Sequence, residues 1–376
     1  KENDILRSIK KLVGFDVEVW AAASVAKAFD SLSLPYDTTP TGKPNFDKNF
    51  LATHDSPLAK MVTEARKIYM ARSTFVDKII SHSHRGRIHA EIHQMRSDQG
   101  GTVTGRFSYS NPNLQQIPAR DKILGPLIRS LFIPEKNHEW GIFDYSQQEP
   151  RLVVHYASMK SYVGADKFVD QYREDETTDF HNMVSKIADI PRKQAKTINL
   201  GLFYGMGTGK LMSELGVDQE TAMDILAGYH ERVPFVKKLM LDTQRVASDK
   251  GFLTTLEGRR CRFDEWESAT EWGQKSLPLE AARREYGEHQ IKRAWTFKAL
   301  NRLIQGSAAD QTKKAMLELH KQGYLAHIQV HDELDFSVAS DKDKSKIKEI
   351  MEQAVKLQVP SKVDVECGSN WGEAGD

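Results

Sequence analysis

Two short stretches, far apart in the chain, each place a carboxylate where the backbone must turn. Gly141 to Leu152, GIFDYSQQEPRL, reads as a buried strand through Ile142 and Phe143 that ends in Asp144 and runs into a helix. Ser146 is placed to cap that helix, with Glu149 three residues on as its capping-box partner. In Ala326 to Val338, AHIQVHDELDFSV, two β-type runs flank His331-Asp332. A turn this tight favours Asn-Gly or Asp-Gly, so His-Asp is a poor local choice, and broken local rules gather at functional sites. Either aspartate alone reads as a turn or cap residue. Together they can hold divalent metal, since magnesium needs only one or two carboxylates besides substrate phosphates and water. Two magnesium ions about 3.5–4 Å apart would activate an attacking hydroxyl and stabilise the leaving oxygen of an in-line phosphoryl transfer.

The carboxylate pair gains weight from Ile190 to Gly209, IPRKQAKTINLGLFYGMGTG. Pro191 is placed to open a helix, and Arg192, Lys196, Leu200 and Tyr204 then recur every four residues as one stripe. Two cations followed by an apolar residue and a ring suit a nucleoside triphosphate, phosphates on the cations and base and sugar toward the ring. His181, just upstream, could add a third phosphate donor. The competing reading is a surface helix with incidental Arg and Lys. Gly201 and Gly205 weaken it, since each costs roughly 1 kcal/mol against Ala in a helix. Gly207-Thr208-Gly209-Lys210 mimics the tail of a phosphate-binding P-loop, but Tyr204 stands where that motif needs Gly and Leu211 where it needs Ser or Thr. That reading is rejected.

The elements needed to position these groups are legible around them. Residues 1 to about 85 look helical, interrupted by a Pro-, Thr- and Gly-rich loop at 34–48. Ser56-Pro57 starts a strong helix with Leu58, Met61, Val62, Ala65, Ile68 and Tyr69 at helical spacing. Its Lys60, Arg66, Lys67 and Arg72, and Lys78 beyond, read as a solvated face. Arg87 to Gln94 alternates like one half-buried strand. Gly100 to Pro118 has no helical period, and loops of that length are usually functional. From Val153 to about Ala294 the pattern is mainly helical, broken by a strand-turn-strand signal at 251–263, and a helix near 299–322 leads to the Asp332 hairpin. Two sheet segments separated by a helical block give an α+β class.

Bulk properties bound the rest. A length of 376 residues allows two or three packed units. With 39% hydrophobic and 28% charged residues the chain is globular in composition, and no apolar run approaches the ~20 residues of a membrane span. A formal net charge of +1 means that any nucleic acid must be held by local basic patches. Cys261 and Cys367, far apart and without metal-ligand spacing, suit free thiols in a reducing compartment. The chain opens KENDILRSIKK, without Met or a signal core, so a fragment is expected.

DYSQQEPR (144–151), RKQAKTINLGLFYG (192–205) and VHDE (330–333) resemble the three polymerase motifs of family A DNA polymerases, the bacterial DNA polymerase I type. TGRFSYSNPNLQQIP (104–118) and NRLIQGSAAD (301–310) resemble two further segments of that family, and all five occur in its order. The wording of residues 291–316 is closer to phage-encoded members. The resemblance implies a right-hand fold with an antiparallel palm sheet: thumb at 1–85, palm at 86–151 and 293–376, helical fingers at 152–292. It implies that Asp144 and Asp332 hold two Mg²⁺ ions, for which Mn²⁺ could substitute, aided by the Tyr145 backbone. Arg192, Lys196 and His181 would bind the triphosphate, with Lys196 as proton donor to the departing pyrophosphate. Tyr204, Leu200 and Gln147 would border the nucleotide, and Glu149 would exclude a ribose 2′-hydroxyl. Arg106, Asn113, Gln115, Asn301, Gln305 and His331 would grip primer–template DNA near the minor groove, whose acceptors are nearly degenerate between base pairs.

The expected activity is template-directed addition of deoxynucleotides to a primer 3′-hydroxyl, by a monomer in the cytoplasm, the host's if phage-encoded. No processivity partner is legible. The chain departs from the family in Leu200, where an aromatic residue is usual, and in Gln148 and Pro150, which replace apolar residues. A single-subunit RNA polymerase shares the two-aspartate logic, but Glu149 argues against it. An inactive DNA-binding scaffold is opposed by the intact aspartates and by Arg192 and Lys196.

Overall fold

The computed structural model describes all residues except Asp98, Gln99, Ala119, Arg120, Gly205, Trp272 and Asp376, so the helix argument from Gly205 lies outside the described residues. The chain divides into two compact units, Lys1–Ala90 with Ile117–Ile128, and Glu91–Gln116 with Arg129–Asp376. The second therefore takes in the 152–292 block together with most of both expected palm segments.

In the first unit, helices α1 (Glu2–Val13), α2 (Ala22–Ser31), α3 (Lys48–Thr53) and α4 (Pro57–Ala71) enclose Ile9, Val25, Phe29, Leu58, Val62 and Ala65. Ser56 caps α4 by accepting the Ala59 N–H at 3.2 Å, and Pro57 takes the first position, where a missing N–H is harmless. The basic residues of α4 do more than face water. Arg66 is drawn in to donate to the Val19 and Phe46 carbonyls, both at 2.6 Å, and Lys67 pairs with Asp121. Tyr69, expected on the apolar stripe, is exposed beside Trp20. The strand expected over 87–94 is two strands. Arg85-Gly86, both at positive φ, form the two-residue turn joining Ser83–His84 to Arg87–Ile88. Paired positive φ is the geometry of a type I′ hairpin, and a glycine at its second place is what the sequence offered as a sign.

The second unit begins with β1 (Glu91–His93) and β2 (Ser108–Ser110), an antiparallel pair whose second strand lies within the 100–118 stretch expected as a loop. β3 (Glu139–Tyr145) is the central strand, followed at once by α5 (Gln148–Met159). Among the helices after it are α6 (Phe180–Ala188) and α7 (Arg192–Phe203), packed around Leu152, Phe168, Phe180, Ile198, Phe203, Tyr229 and Phe235. The expected hairpin forms as β4 (Phe252–Thr254) and β5 (Arg260–Arg262). Residues 265–293, within the stretch expected to be mainly helical, contain a three-stranded sheet in which Glu265–Ser268 lies between Leu277–Pro278 and Ile291–Arg293. Strands of two to four residues are too short to show alternation in sequence.

The long helix α8 (Ala299–Lys321) leads to β6 (Ile328–Val330) and β7 (Glu333–Val338), then α9 (Asp341–Gln353) and β8 (Val363–Gly368). The sheet order is β6-β7-β3-β8, antiparallel throughout. One face packs Phe143, Tyr145, Leu334, Phe336 and Val363 against Ala315, Leu319, Ile347 and Met351 of α8 and α9. Register puts the acids on the other face: Asp144 lies opposite both Glu333 and Asp364, and Ile142 opposite both Asp335 and Glu366.

Candidate active site

Strand pairing brings the two aspartates side by side. Asp144 is the partner of Glu333, next to Asp332, and the Tyr145 N–H donates to the Asp332 carbonyl at 3.3 Å. The connecting turn holds His331 at φ 59°, a left-handed conformation uncommon outside glycine and costly unless the surroundings hold it. Burial, then the negative charge of Asp332, pushes the Asp144 carboxyl up to about 8. Burial raises Asp332 to about 6 against the opposing pull of Arg106. Asp144 Oδ1 is buried with no hydrogen-bond partner among the described residues. Unspent carboxylate lone pairs under mutual repulsion fit a hard divalent cation, which relieves the repulsion and takes oxygen donors. Glu333, Asp364 and Glu366 push the Asp144 carboxyl further up, and Asp335, fully buried near them, is itself pushed well up by burial and by Glu333, a cluster of acids that only the sheet register reveals.

The expected capping box does not form. Gln147 adopts φ 53° at the start of α5 and no side chain caps the helix. Glu149 turns away from the helix start instead, Oε1 accepting from Arg106 Nη2 at 2.7 Å and Oε2 from the Tyr204 hydroxyl at 2.9 Å. A tertiary ion pair has outcompeted the local cap. Gln305 bonds the same tyrosine hydroxyl, whose pKa is pushed up to about 12, first by burial and then by Glu149. His331 lies within the field of Arg106 and Glu149, and burial lowers its pKa. Gln147, expected at the substrate, spends its amide on backbone, donating to Thr178 O and accepting from Phe180 N at 2.7 Å, so it fastens the start of α6. Gln148 is buried but satisfied, donating to Ala308 O and Thr312 Oγ1 of α8. The Tyr145 ring points to the opposite face and donates to Met351 O, leaving only its backbone to the site.

On α7, Ala195, Ile198, Asn199, Leu202 and Phe203 are buried, while Arg192 and Lys196 are exposed and Leu200 is half-buried, so the expected stripe forms. Arg192 Nη2 pairs with Asp179 Oδ2 at 2.7 Å, and Asp179 also caps α6 through the Asn182 N–H. His181 is buried within the field of Asp179, Lys196 and Arg192, its Nδ1 2.9 Å from Asn199 Nδ2. In the 104–118 loop, Asn113 Oδ1 accepts the Gln115 N–H, and Gln115 Nε2 reaches both the backbone and side-chain oxygens of Gln329 on β6. Asn301 lies half-buried in the first turn of α8. The sequence reading missed Arg259, which bonds Thr104 O and pairs with Asp310, locking the Arg106 loop to α8. Gly105 and Gly306 were its available signs, since a Cβ on either would come within 2.7 Å of the Arg259 guanidinium.

The structure thus sets an acidic strand end beside an acidic hairpin turn and links them, through Glu149 and Tyr204, to a cationic helix. The sequence model of DNA polymerase family A matches residues 3–373, and the chain belongs to that family. It is 35% identical to a DNA-directed DNA polymerase of Pseudomonas phage M6, with 100% of this chain and 60% of that protein aligned. It is 33% identical to DNA polymerase I of Pseudomonas aeruginosa over 92% of this chain and 37% of that one. Its structure resembles the POL domain of Pol1 from M. smegmatis, solved in complex with DNA primer-template and dNTP. There the TM-score is 0.74 and the identity 26%, over 100% of this chain and 65% of the other. The chain thus spans about three-fifths of the phage relative's length.

Proposed function

We propose that this chain is the polymerase part of a DNA-directed DNA polymerase, extending a primer 3′-hydroxyl with deoxynucleotides on a template, as a monomer in the cytoplasm, the host's if phage-encoded. The observation that carries the reading is the juxtaposition of Asp144, at the end of its strand, and Asp332, in the adjoining turn, both with raised carboxyl pKa values. In this reading residues 1–85 are thumb, 86–151 and 293–376 palm, and 152–292 fingers. Asp144 and Asp332, with the Tyr145 backbone, hold two magnesium ions. Bound there, the metal supplies Lewis acidity to the attacking hydroxyl and neutralises charge on the leaving oxygen.

The chain's own groups do the rest. Arg192, Lys196 and His181 bind the triphosphate, and Lys196, exposed on the α7 stripe, gives a proton to the departing pyrophosphate. Arg192 exchanges its bond to Asp179 for phosphate. Glu149, fixed on two sides by Arg106 and Tyr204, stands where a 2′-hydroxyl would intrude, which favours DNA over RNA synthesis. Tyr204 and Leu200 border the base and sugar, and Arg106, Asn113, Gln115, Asn301, Gln305 and His331 contact primer–template. Among the described residues no helix is long and apolar enough to cross a membrane.

Primer extension tests the proposal. The wild type should elongate a primed template only with divalent metal, and Asp144→Asn should lose about 10³-fold in rate, the several kcal/mol a catalytic metal contributes. Wild-type inactivity across metals, or a fully active Asp144→Asn, would refute it.

A further inference from the structure

Behind the cationic stripe lies a buried polar chain that the proposed reaction does not itself use. Tyr229, 1% exposed, donates its hydroxyl to Asn199 Oδ1 at 2.6 Å, and Asn199, 0% exposed, presents Nδ2 to His181 Nδ1 at 2.9 Å. We propose that Tyr229 and Asn199 are positioning residues that hold His181 as its neutral Nε2–H tautomer, so that the ring offers a hydrogen-bond donor to the nucleotide's phosphates. The inference rests on the polymerase reading and deepens it.

The direction of each bond follows from what burial allows. A phenol has one hydrogen, and in a dry site it must find an acceptor or cost the full desolvation of the group. Asn199 Oδ1 is that acceptor. The amide is then oriented, and its NH₂ faces His181. An imidazole nitrogen facing an amide N–H must present its lone pair, so Nδ1 carries no proton and a neutral ring carries it on Nε2. Burial and the neighbouring Lys196 and Arg192 all disfavour the imidazolium, with Asp179 opposing them. The opposite tautomer would turn a lone pair toward phosphate oxygens and repel them. A turned amide would produce it, and Tyr229 is what prevents the amide from turning.

The test uses the full chain labelled with ¹⁵N-histidine, observed by NMR at about pH 8, where an unperturbed histidine is neutral. The wild type should show His181 with a protonated Nε2 and an unprotonated Nδ1. Tyr229→Phe, its fold checked by circular dichroism, should show a tautomer mixture. Its KM for deoxynucleotide should rise about tenfold with little change in kcat, the loss expected for one hydrogen bond to a charged group. In a His181→Ala background Tyr229→Phe should add nothing, because a partner acting through His181 has nothing left to act on. Should Tyr229→Phe not fold, Asn199→Ser takes its place in the cycle. A wild-type Nδ1–H ring, an unchanged KM, or effects that simply add with His181→Ala would overturn the inference. Failure of the polymerase reading would show separately, as no primer extension by a wild type whose tautomer the spectrum still decides.

Discussion

Glu149 has one local use and one distant one, and the distant one prevails. In sequence it completes a capping box with Ser146, worth about 1 kcal/mol. In the fold it takes a charge-assisted bond from Arg106, 43 residues away, and a hydroxyl from Tyr204, 55 residues away. A short, partly buried arginine–carboxylate bond outweighs an exposed cap. Asp144 was legible because it ends a buried strand that runs straight into a helix, and Asp332 because His-Asp is a poor choice for so tight a turn. Arg106 was legible as a side chain and not as Glu149's partner, since pairing at such separation leaves no periodicity behind. Cutting Glu149 to Ala removes the group proposed to meet the 2′-hydroxyl and frees both neighbours. The ratio of kcat/KM for ribo- over deoxynucleotides should then rise about 10²-fold, the upper range for opening a pocket to a small added group. An unchanged ratio would take sugar selection away from Glu149.

At the scale of elements, α7 was readable nearly to the residue. Pro191 sets its start, and four-residue spacing separates the exposed stripe from buried Ala195, Ile198 and Asn199. The buried strand β3 was equally clear as an apolar run. What stayed hidden were the two- and three-residue strands, the left-handed entry at Gln147, and Arg259, whose role exists only once Thr104 and Asp310 meet. Leu200 bears directly on function because it sits one turn from Lys196 and one from Tyr204. A leucine gives no hydrogen bond to the triphosphate, so a nucleotide lacking its 3′-hydroxyl should be incorporated poorly. Leu200→Tyr restores a ring and a donor, and competition between dideoxy- and deoxynucleotides should shift toward the former by about tenfold, one charged hydrogen bond. Efficient chain termination by the wild type would contradict this.

Across the whole molecule, near-neutral overall charge conceals a sheet face on which five acids gather: Asp144, Glu333, Asp335, Asp364 and Glu366. Asp144, raised to about 8, keeps a proton in the folded state that an unfolded aspartate has lost. Its contribution to stability is therefore full below the unfolded value of about 4 and is lost as pH rises through about 8. Buried His155 and His181 and half-exposed His230 and His331 have lowered pKa values and act in the opposite sense, but only below about pH 6.5, their unfolded value. Between about pH 7 and 8.5 in chelator, thermal melts should thus fall with pH, and Asp144→Asn should lessen that slope, leaving the share of buried Asp335, whose carboxyl is raised in the same sense. Added magnesium should stabilise the wild type more at the higher pH, since metal requires the ionised carboxylates. A chelated wild type whose melting temperature rises across this window would refute the assignment. Most direct is anomalous diffraction from the protein crystallised with primer–template, deoxynucleotide and manganese. The account predicts a manganese peak within about 2.2 Å of carboxylate oxygens from both Asp144 and Asp332; a bound nucleotide whose manganese touches only one of them, or neither, would contradict it.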